Sequence, residues 1–185
     1  MPSKNYHVPI TGTPDIRTAL NTALEALDDA IGDILPNEAA FGVEEADSTD
    51  NGSTTSTTWT ALDGYDGYEV DGDFVVVPVS GYFTPKAGTH ILKARHTYGG
   101  SSASGARLRL NNVTQGSAVK EGLCVKTQGG QQMLSLMAIF TANGTDTYRL
   151  EAYAVTANTN DLGVAQGLGT KETYADIMLM RVGLS

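Results

Sequence analysis

Residues 132–156 read QMLSLMAIFTANGTDTYRLEAYAVT, and this stretch decides the fold class. Its first part, Gln132 to Ala142, is a nearly continuous apolar run, whereas its second part, Thr147 to Thr156, alternates between its two faces. The dipeptide Asn143-Gly144 between them is a strong turn signal. Two runs of strand length that flank such a turn predict antiparallel β-structure.

Short strand-like segments separated by Gly, Asn and Asp continue on both sides of this stretch. Met133 to Phe140 and Ile177 to Val182 are almost entirely apolar, and we expect both segments to be covered on both faces. Other strands alternate: Arg107, Arg109 and Asn111 project opposite to Leu108 and Leu110. Fully apolar strands beside such half-buried ones predict a two-sheet antiparallel sandwich inside an oligomer. The further predicted strands are Ala40 to Glu45, Thr57 to Leu62, Asp73 to Val79, Thr89 to Tyr98, Ala106 to Asn111, Ala118 to Thr127 and Thr173 to Val182.

An N-terminal helix is predicted before the β-structure. Thr13-Pro14-Asp15 supplies an N-cap, a proline at the first helical position and an acid in the first turn, and Pro36 ends the helix. Apolar residues spaced four and three apart form a heptad-like seam along it. The seam residues are Leu20, Leu24, Leu27, Ile31 and Ile34.

This helix has two interpretations, because a single helix of its length is marginal in water and its seam must be covered. It is either the stalk of a parallel oligomer or an element that lies against its own β-domain. The stalk interpretation divides the chain into an attachment arm at residues 1–13, a helical stalk at 14–36 and a head domain at 37–185.

The chain is acidic, with 12 Lys and Arg against 21 Asp and Glu and a formal charge of −9. Nucleic acids and anionic membranes are bound through basic residues, so neither is an expected partner. The N-terminal residues carry no secretory signal, and no apolar stretch approaches the ~20 residues of a membrane span. We therefore expect folding in a cytoplasm, where the single cysteine, Cys124, is expected to be a small buried residue.

Catalytic patterns do not occur in the sequence. His90 and His96 lie on one predicted strand but about 20 Å apart, too far for a shared metal or a proton relay. These two and His7 are expected to be packed or interface histidines. A nucleophile elbow, a Walker A loop, a dinucleotide fingerprint and zinc-type Cys/His spacing are all missing. The sequence therefore predicts a non-enzymatic protein without a cofactor.

The segment Asp63 to Asp73 concentrates acids, tyrosines and glycines. It is expected to form a pair of solvated turns, and the alternative is a cation site built from carboxylate oxygens. The candidate cation ligands are Asp63, Asp66, Asp71 and Asp73. Tyr65 and Tyr68 beside these acids would suit a glycan-binding pocket, in which aromatic faces and carboxylates cooperate.

Two segments in the middle of the chain resemble the C1q/TNF-like jelly rolls. Residues 82–92 (YFTPKAGTHIL) are similar to the segment of that family in which Phe, Pro, Gly and an aromatic residue follow at short spacers. His90 stands where the family prefers the aromatic residue. Ala106 to Asn112 (ARLRLNN) resembles the strand that follows, with its tight turn.

Three later segments extend the resemblance. Met133 to Leu136 and Asp146 to Tyr153 resemble the Gly-Asp-x-hydrophobic-x-Leu hairpin of the family, with Thr145 where the family usually has Gly. Ala175 to Val182 resembles the closing strand, which in the family runs through the trimer core. The resemblance covers roughly residues 40–185 and implies an all-β antiparallel jelly-roll sandwich preceded by the N-terminal α-helix.

Helix-plus-jelly-roll chains of this size resemble bacteriophage virion proteins: head fibres, decoration proteins and tail-fibre tips. That resemblance implies a homotrimer, made in the host cytoplasm, whose N-terminal arm and helix attach it to capsid or tail proteins of the particle. A trimeric head fibre or decoration protein is the expected function. The alternative is a tail-fibre tip or a carbohydrate-binding module for a host receptor.

Overall fold

A computed structural model describes residues 16–34, 37–45, 52–63, 66–70, 75–76, 81–100, 105–126, 130–156, 160–167, 169 and 172–183. The chain divides into two compact units between Leu35 and Pro36. Among the described residues, no helix is long and apolar enough to cross a membrane.

The first unit contains the helix α1 (Ile16–Ile34), which confirms the predicted N-terminal helix. Leu20, Leu24 and Leu27 are all more than half exposed. The spacing of these leucines places them along one side of the helix. Ile31 and Ile34 belong to the helix, but their side chains lie outside the described residues.

The second unit is built from strands. Those found among the described residues are β1 (Asn37–Glu45), β2 (Trp59–Ala61), β3 (Asp66–Val70), β4 (Val75–Val76), β5 (Tyr82–Pro85), β6 (Gly88–Gly100), β7 (Gly105–Asn112), β8 (Ser117–Glu121), β9 (Val125–Lys126), β10 (Gly130–Ala142), β11 (Tyr148–Ala154) and β12 (Glu172–Gly183). All ladders between them are antiparallel. The predicted antiparallel jelly-roll sandwich is confirmed.

The strands form two sheets. The five-stranded sheet has the order β10-β6-β12-β1-β3. The seven-stranded sheet has the order β4-β5-β11-β7-β8, with β2 added on β11 and β9 on β7. In the first sheet β12 lies between β6 and β1, so that Phe41 near the start of the unit pairs with Ile177 near its end.

The strands on either side of Asn143-Gly144 were expected to form a hairpin, and this expectation is wrong. β10 pairs with β6 in the five-stranded sheet, whereas β11 pairs with β7 in the other sheet. The turn between them is therefore a corner of the sandwich. Its tight geometry comes from the Asn143 side chain, whose Oδ1 accepts hydrogen bonds from the backbone N–H groups of Thr145 at 2.9 Å and Asp146 at 2.8 Å.

The core lies between the two sheets and is filled by the inward residues of each strand. Its buried hydrophobic residues are Ala39, Phe41, Leu62, Val75, Phe83, Leu92, Ala94, Tyr98, Ala106, Leu108, Leu110, Leu134, Leu136, Ala138, Phe140, Ala142, Tyr148, Leu150, Ala152, Ala154, Leu162, Ala175, Ile177 and Leu179. The predicted alternation along β7 and β11 is confirmed, because their leucines point into this core while Arg107, Arg109 and Arg149 remain partly exposed.

The apolar strand β10 has two different faces in the single chain. Leu134, Leu136, Ala138 and Phe140 are buried, but the residues between them face outward. One face of this strand packs in the core and the other carries exposed methionine and isoleucine, so that cover on both faces, expected inside an oligomer, stays a prediction.

The predicted strand from Ala118 to Thr127 is interrupted at Gly122. A side-chain carbon at this position would lie 2.5 Å from the carbonyl oxygen of Ser135 on β10, so only glycine fits. Leu123 and Cys124 follow in the segment between β8 and β9, and both are exposed. The prediction of a buried Cys124 is therefore wrong, because β8 ends at Glu121 and the apolar residues that follow it lie at the surface.

Two strands fall where no strand was predicted. β3 occupies Asp66–Val70, within the segment expected to form turns, and pairs with β1. β5 occupies Tyr82–Pro85 and pairs with β4 and β11. The predicted pair of solvated turns is accordingly wrong over residues 66–70.

Candidate functional site

The outward side of the five-stranded sheet carries a row of exposed apolar side chains. We define the apolar face as Met133, Met137 and Ile139 of β10 with Met178 and Val182 of β12. Met137 and Ile139 are 62% and 69% exposed. Within a single chain, this is apolar surface that nothing among the described residues covers.

The strand register aligns these residues across the sheet. Met137 of β10, Lys93 of β6 and Met178 of β12 lie opposite one another, since Met137 pairs with Lys93 and Met178 pairs with the same lysine from the other side. In the neighbouring row, Ile139 of β10 pairs with Ile91 of β6. Apolar side chains of β10 and β12 therefore flank Lys93 in one row, and apolar side chains continue from β10 to β6 in the neighbouring row.

A groove of about 620 Å³ opens beside this face. Its walls include Met137 and Met178 of the apolar face and Leu123 from the β8–β9 segment. Arg95 and Asp176, which form an exposed ion pair at 2.5 Å, lie at its polar end. The groove has apolar walls and a charged rim, the arrangement found at protein interfaces.

The outward side of the seven-stranded sheet is different in chemistry. Trp59, Tyr153 and Arg107 are aligned there, because Tyr153 of β11 pairs with Trp59 on one side and with Arg107 on the other. The rings of Trp59 and Tyr153 are 5.2 Å apart between centroids. The guanidinium of Arg109 lies 4.2 Å from the centre of the Trp59 ring, within cation–π distance. We define the arginine–aromatic cluster as these four residues and Glu151.

Glu151 is the buried anion of this cluster. Its carboxylate accepts hydrogen bonds from Nε of Arg109 at 2.5 Å, Nε of Arg149 at 2.6 Å and the Asn111 amide at 3.2 Å. Nη1 of Arg149 in turn donates to the Tyr82 hydroxyl at 3.1 Å. Bonds to Glu151 raise the pKa of Arg149 against the opposing effect of its burial, which is the largest influence on it.

His90 and His96 are fully buried on the core side of β6, which confirms that they are packed residues. Nε2 of His90 lies 2.9 Å from the carbonyl oxygen of Lys86, and its ring stacks on Phe140. Burial lowers the pKa of His96 to about 4. Their positions within the core leave them no access to a ligand on the surface.

The predicted cation ligands are not brought together among the described residues. Asp63 is exposed after β2, and Asp66 begins β3 although its side chain is outside the described residues. Asp71 and Asp73 lie outside them altogether. In the part of the chain that the structure describes, no group of three or more His, Cys, Asp or Glu side chains is placed to hold a metal ion.

The predicted glycan-binding tyrosines stay a prediction. Tyr65 lies outside the described residues, and Tyr68 is on β3 with its side chain outside them. The sequence interpretation missed the arginine–aromatic cluster. The alternation along β7 and β11 was recognised and places Arg107, Arg109, Glu151 and Tyr153 on one side of their strands. Their proximity to Trp59 depends on strand register, which alternation does not provide.

No protein-family model matches this chain, and no curated protein sequence does either. Solved structures do. The Eiger TNF of S. frugiperda is 11% identical with a TM-score of 0.54, over 81% of this chain and 94% of that one. Murine APRIL at pH 5.0 is 7% identical with a TM-score of 0.51, over 78% and 99%.

The PRD1 vertex protein P5 is 11% identical, with a TM-score of 0.50 over 78% of this chain and 96% of that one. At such low identities the similarity concerns the fold alone. The strand order, the register and these likenesses agree with the resemblance seen in the sequence. The second unit of this chain is an antiparallel jelly roll with a TNF-like fold.

Proposed function

We propose that this chain is a virion structural protein that assembles as a homotrimer, a head fibre or capsid decoration protein. Residues 1–13 and the helical stalk at 14–36 attach it to capsid or tail proteins, and the jelly-roll head at 37–185 projects from the particle. The observation that carries the proposal is the apolar face on the five-stranded sheet. The likeness of the fold to a vertex protein supports the assignment to a particle surface.

The apolar face favours self-association for an energetic reason. Large exposed apolar patches mark interaction surfaces, because covering them releases water. A methionine or isoleucine side chain contributes about 1.5–3 kcal/mol when it passes from full exposure to full burial. Met137 and Ile139 are 62% and 69% exposed, so a second copy seated on this face gains the corresponding part of this contribution from each of them. The charged pair Arg95–Asp176 would remain at the rim, where an ion pair keeps its contact with water.

The helix provides a second reason for self-association. Leu20, Leu24 and Leu27 repeat at the spacing of a coiled-coil seam, and all three are exposed. An isolated helix of 19 residues is only marginally stable in water. Three copies held together by their heads would bring three such seams together, so that each assembly step supports the other.

Light scattering coupled to size exclusion tests the trimer at micromolar concentration. We expect a mass of three chains of 19.4 kDa each. Met137→Glu places a charge in the centre of the apolar face and is expected to give monomers with an unchanged circular dichroism spectrum. Val155→Glu adds the same charge at an exposed apolar residue directly after β11 and should leave the trimer intact. A stable monomer of the unchanged protein would contradict the proposal.

Immunogold electron microscopy tests the location. Particles of the encoding virus, purified and labelled with antibody against this chain, should carry gold on the head surface. Capsid or tail genes beside the encoding gene would agree with this result. Unlabelled particles from a lysate that contains the protein would contradict the virion role. They would not bear on the proposal that the protein is a trimer.

A further inference from the structure

The arginine–aromatic cluster brings together residues that are scarce in this chain. It contains the only tryptophan and, with the adjacent Arg149, three of the six arginines. Trp59 contacts two of these arginines across β11: the Arg109 guanidinium lies 4.2 Å from the ring centre and that of Arg107 lies 5.4 Å away. Trp59 and Tyr153 are both half-buried, so part of each ring faces solvent.

The charge at this place opposes that of the whole molecule. Arg107, Arg109 and Arg149 face two acids, Glu121 and Glu151, which leaves one net positive charge. The complete chain carries −9. A small anionic group is therefore attracted to this side of the seven-stranded sheet and repelled by most of the remaining surface.

The arginines differ in how many of their donors are already used. All three terminal donor groups of Arg149 bind Glu151 or Tyr82. Arg109 uses Nε and Nη2 on Glu151, and Arg107 uses Nη1 on Glu121 at 2.6 Å. Among the described residues, Nη1 of Arg109 and both Nε and Nη2 of Arg107 make no further hydrogen bond. These donors are held beside the aromatic rings before any ligand arrives.

We infer that this cluster is a binding site for a saccharide that carries a carboxylate group. The sugar ring packs its C–H face on Trp59 and Tyr153, while the carboxylate accepts hydrogen bonds from Arg107 and from the remaining donor of Arg109. The planar fork of arginine matches the geometry of a carboxylate. Because the donors are fixed in place by Glu121 and Glu151, little conformational entropy is lost on binding.

Other ligands use the cluster less completely. An inorganic anion would bind the arginines and leave the rings uncovered, whereas an apolar peptide segment would cover the rings and bury unpaired arginine donors. A single-stranded nucleic acid could stack on the rings, but its extended phosphate backbone would meet an acidic protein surface. A compact acidic sugar satisfies both parts of the cluster.

The site lies within one protomer, so binding does not depend on the trimer proposed above. The inference adds a ligand-binding role to the proposed structural role. Trp59 is the only tryptophan, so the intrinsic tryptophan fluorescence of the protein reports on this site alone. The probes are tri-galacturonate and sialyllactose, with lactose, inorganic phosphate and a short oligothymidylate as comparisons. We expect a saturable change in emission with at least one of the two acidic saccharides and none with the comparison ligands below about 10 mM.

Two variants locate the binding. Arg107→Gln is expected to lower the affinity for the acidic saccharide about tenfold or more, since it removes the guanidinium fork of Arg107 with its two free donor groups. Lys86→Gln removes the same charge at an exposed lysine after β5 and should leave the affinity unchanged. Trp59→Ala, measured by calorimetry, should abolish binding. The monomeric Met137→Glu variant should bind as the unchanged protein does, which separates this site from the trimer.

Several results would overturn the inference. One is the lack of any saturable signal with both acidic saccharides. Another is an equal response to phosphate, which would make the cluster a simple anion site, or to oligothymidylate, which would make it a nucleic-acid site. If lactose bound as tightly as the acidic saccharides, or if the Arg107→Gln variant kept its affinity, the carboxylate would not contribute to binding.

Discussion

Nε of Arg109 donates to the carboxylate of Glu151 at 2.5 Å, and the two residues lie opposite each other on β7 and β11. Glu151 is almost completely shielded from water, whereas Arg109 is partly exposed. Glu151 thus fixes the positions of Arg109 and Arg149 on the outward side of the seven-stranded sheet. Its removal would leave two guanidinium groups without their main partner.

We expect Glu151→Ala to lower the free energy of unfolding by about 2–3 kcal/mol, below the largest values for buried pairs because both arginines reach solvent. Urea denaturation measures the change. Glu121→Ala removes the exposed acid that pairs with Arg107 and should cost less than ~1 kcal/mol. Equal losses in the two variants would show that burial of Glu151 makes no difference.

A second buried acid ties two loops together. Asp161 is fully buried, its Oδ1 accepts the backbone N–H of Thr54 at 2.5 Å, and its Oδ2 accepts the hydroxyl of the same threonine. Asp161→Ala should cost about 2–3 kcal/mol, because the Thr54 N–H remains buried without this acceptor. Thr55→Val changes the exposed neighbour and should stay within ~0.5 kcal/mol. Thermal and urea unfolding compare the two variants, and similar stabilities would contradict the role of Asp161.

The buried His96 makes stability depend on pH. The unfolded chain binds a proton here below about pH 6.5, while folded His96, with a pKa lowered to about 4, does not. Stability is therefore fully present above pH 6.5 and falls as the pH falls, by about 3 kcal/mol at pH 4 for this residue. His90, whose pKa burial also lowers, acts in the same direction.

Urea titrations at pH 7 and pH 4.5 check this expectation. His96→Gln should be less stable than the unchanged protein at pH 7 but should lose less stability on acidification. Carboxylates titrate in the same pH interval in both proteins. The contribution of His96 is therefore the difference between the two proteins in the unfolding free energy lost from pH 7 to pH 4.5. Parallel losses in both proteins would exclude His96 as a contributor.

Gly81 is required by its surroundings as well as by its backbone. Its φ is +75°, and a side-chain carbon would lie 2.3 Å from the carbonyl oxygen of Leu62. Gly81→Ala should therefore cost about 3 kcal/mol or more, from backbone strain and a steric clash together. Gly116→Ala has a similar φ of +65° but open space, and should cost about 1–2 kcal/mol. Denaturation midpoints that do not separate the two variants would contradict the steric argument.

Much of the fold was predictable because it follows local patterns. Alternation assigned the two sides of β7 and β11 correctly, since each strand has one apolar and one polar face. The helix from Ile16 to Ile34 followed from its cap, its periodicity and the terminating Pro36. β3 was missed because its aspartate and glycine residues favour turns, and only pairing with β1 makes this segment a strand.

The interaction surfaces were less predictable, because they depend on contacts between distant segments. The apolar sequence of a strand such as β10 indicates that both faces are to be buried. It does not indicate whether the same chain or a partner buries them. The exposure of Cys124 follows from the interruption between β8 and β9 at Gly122, where a side chain would meet the backbone of Ser135 on a distant strand. The contact of Trp59 with Arg109 needs the pairing of β2, β11 and β7, which no local pattern specifies.

The place of β12 between β6 and β1 has a consequence for synthesis. Phe41 leaves the ribosome early, yet its pairing partner Ile177 is translated long after it. The centre of the five-stranded sheet therefore cannot form until β12 has been translated, and β1 must wait for β12. A chain terminated before β12 would lack the strand that joins both halves of this sheet, so incorporation into an assembly would be limited to copies translated through β12.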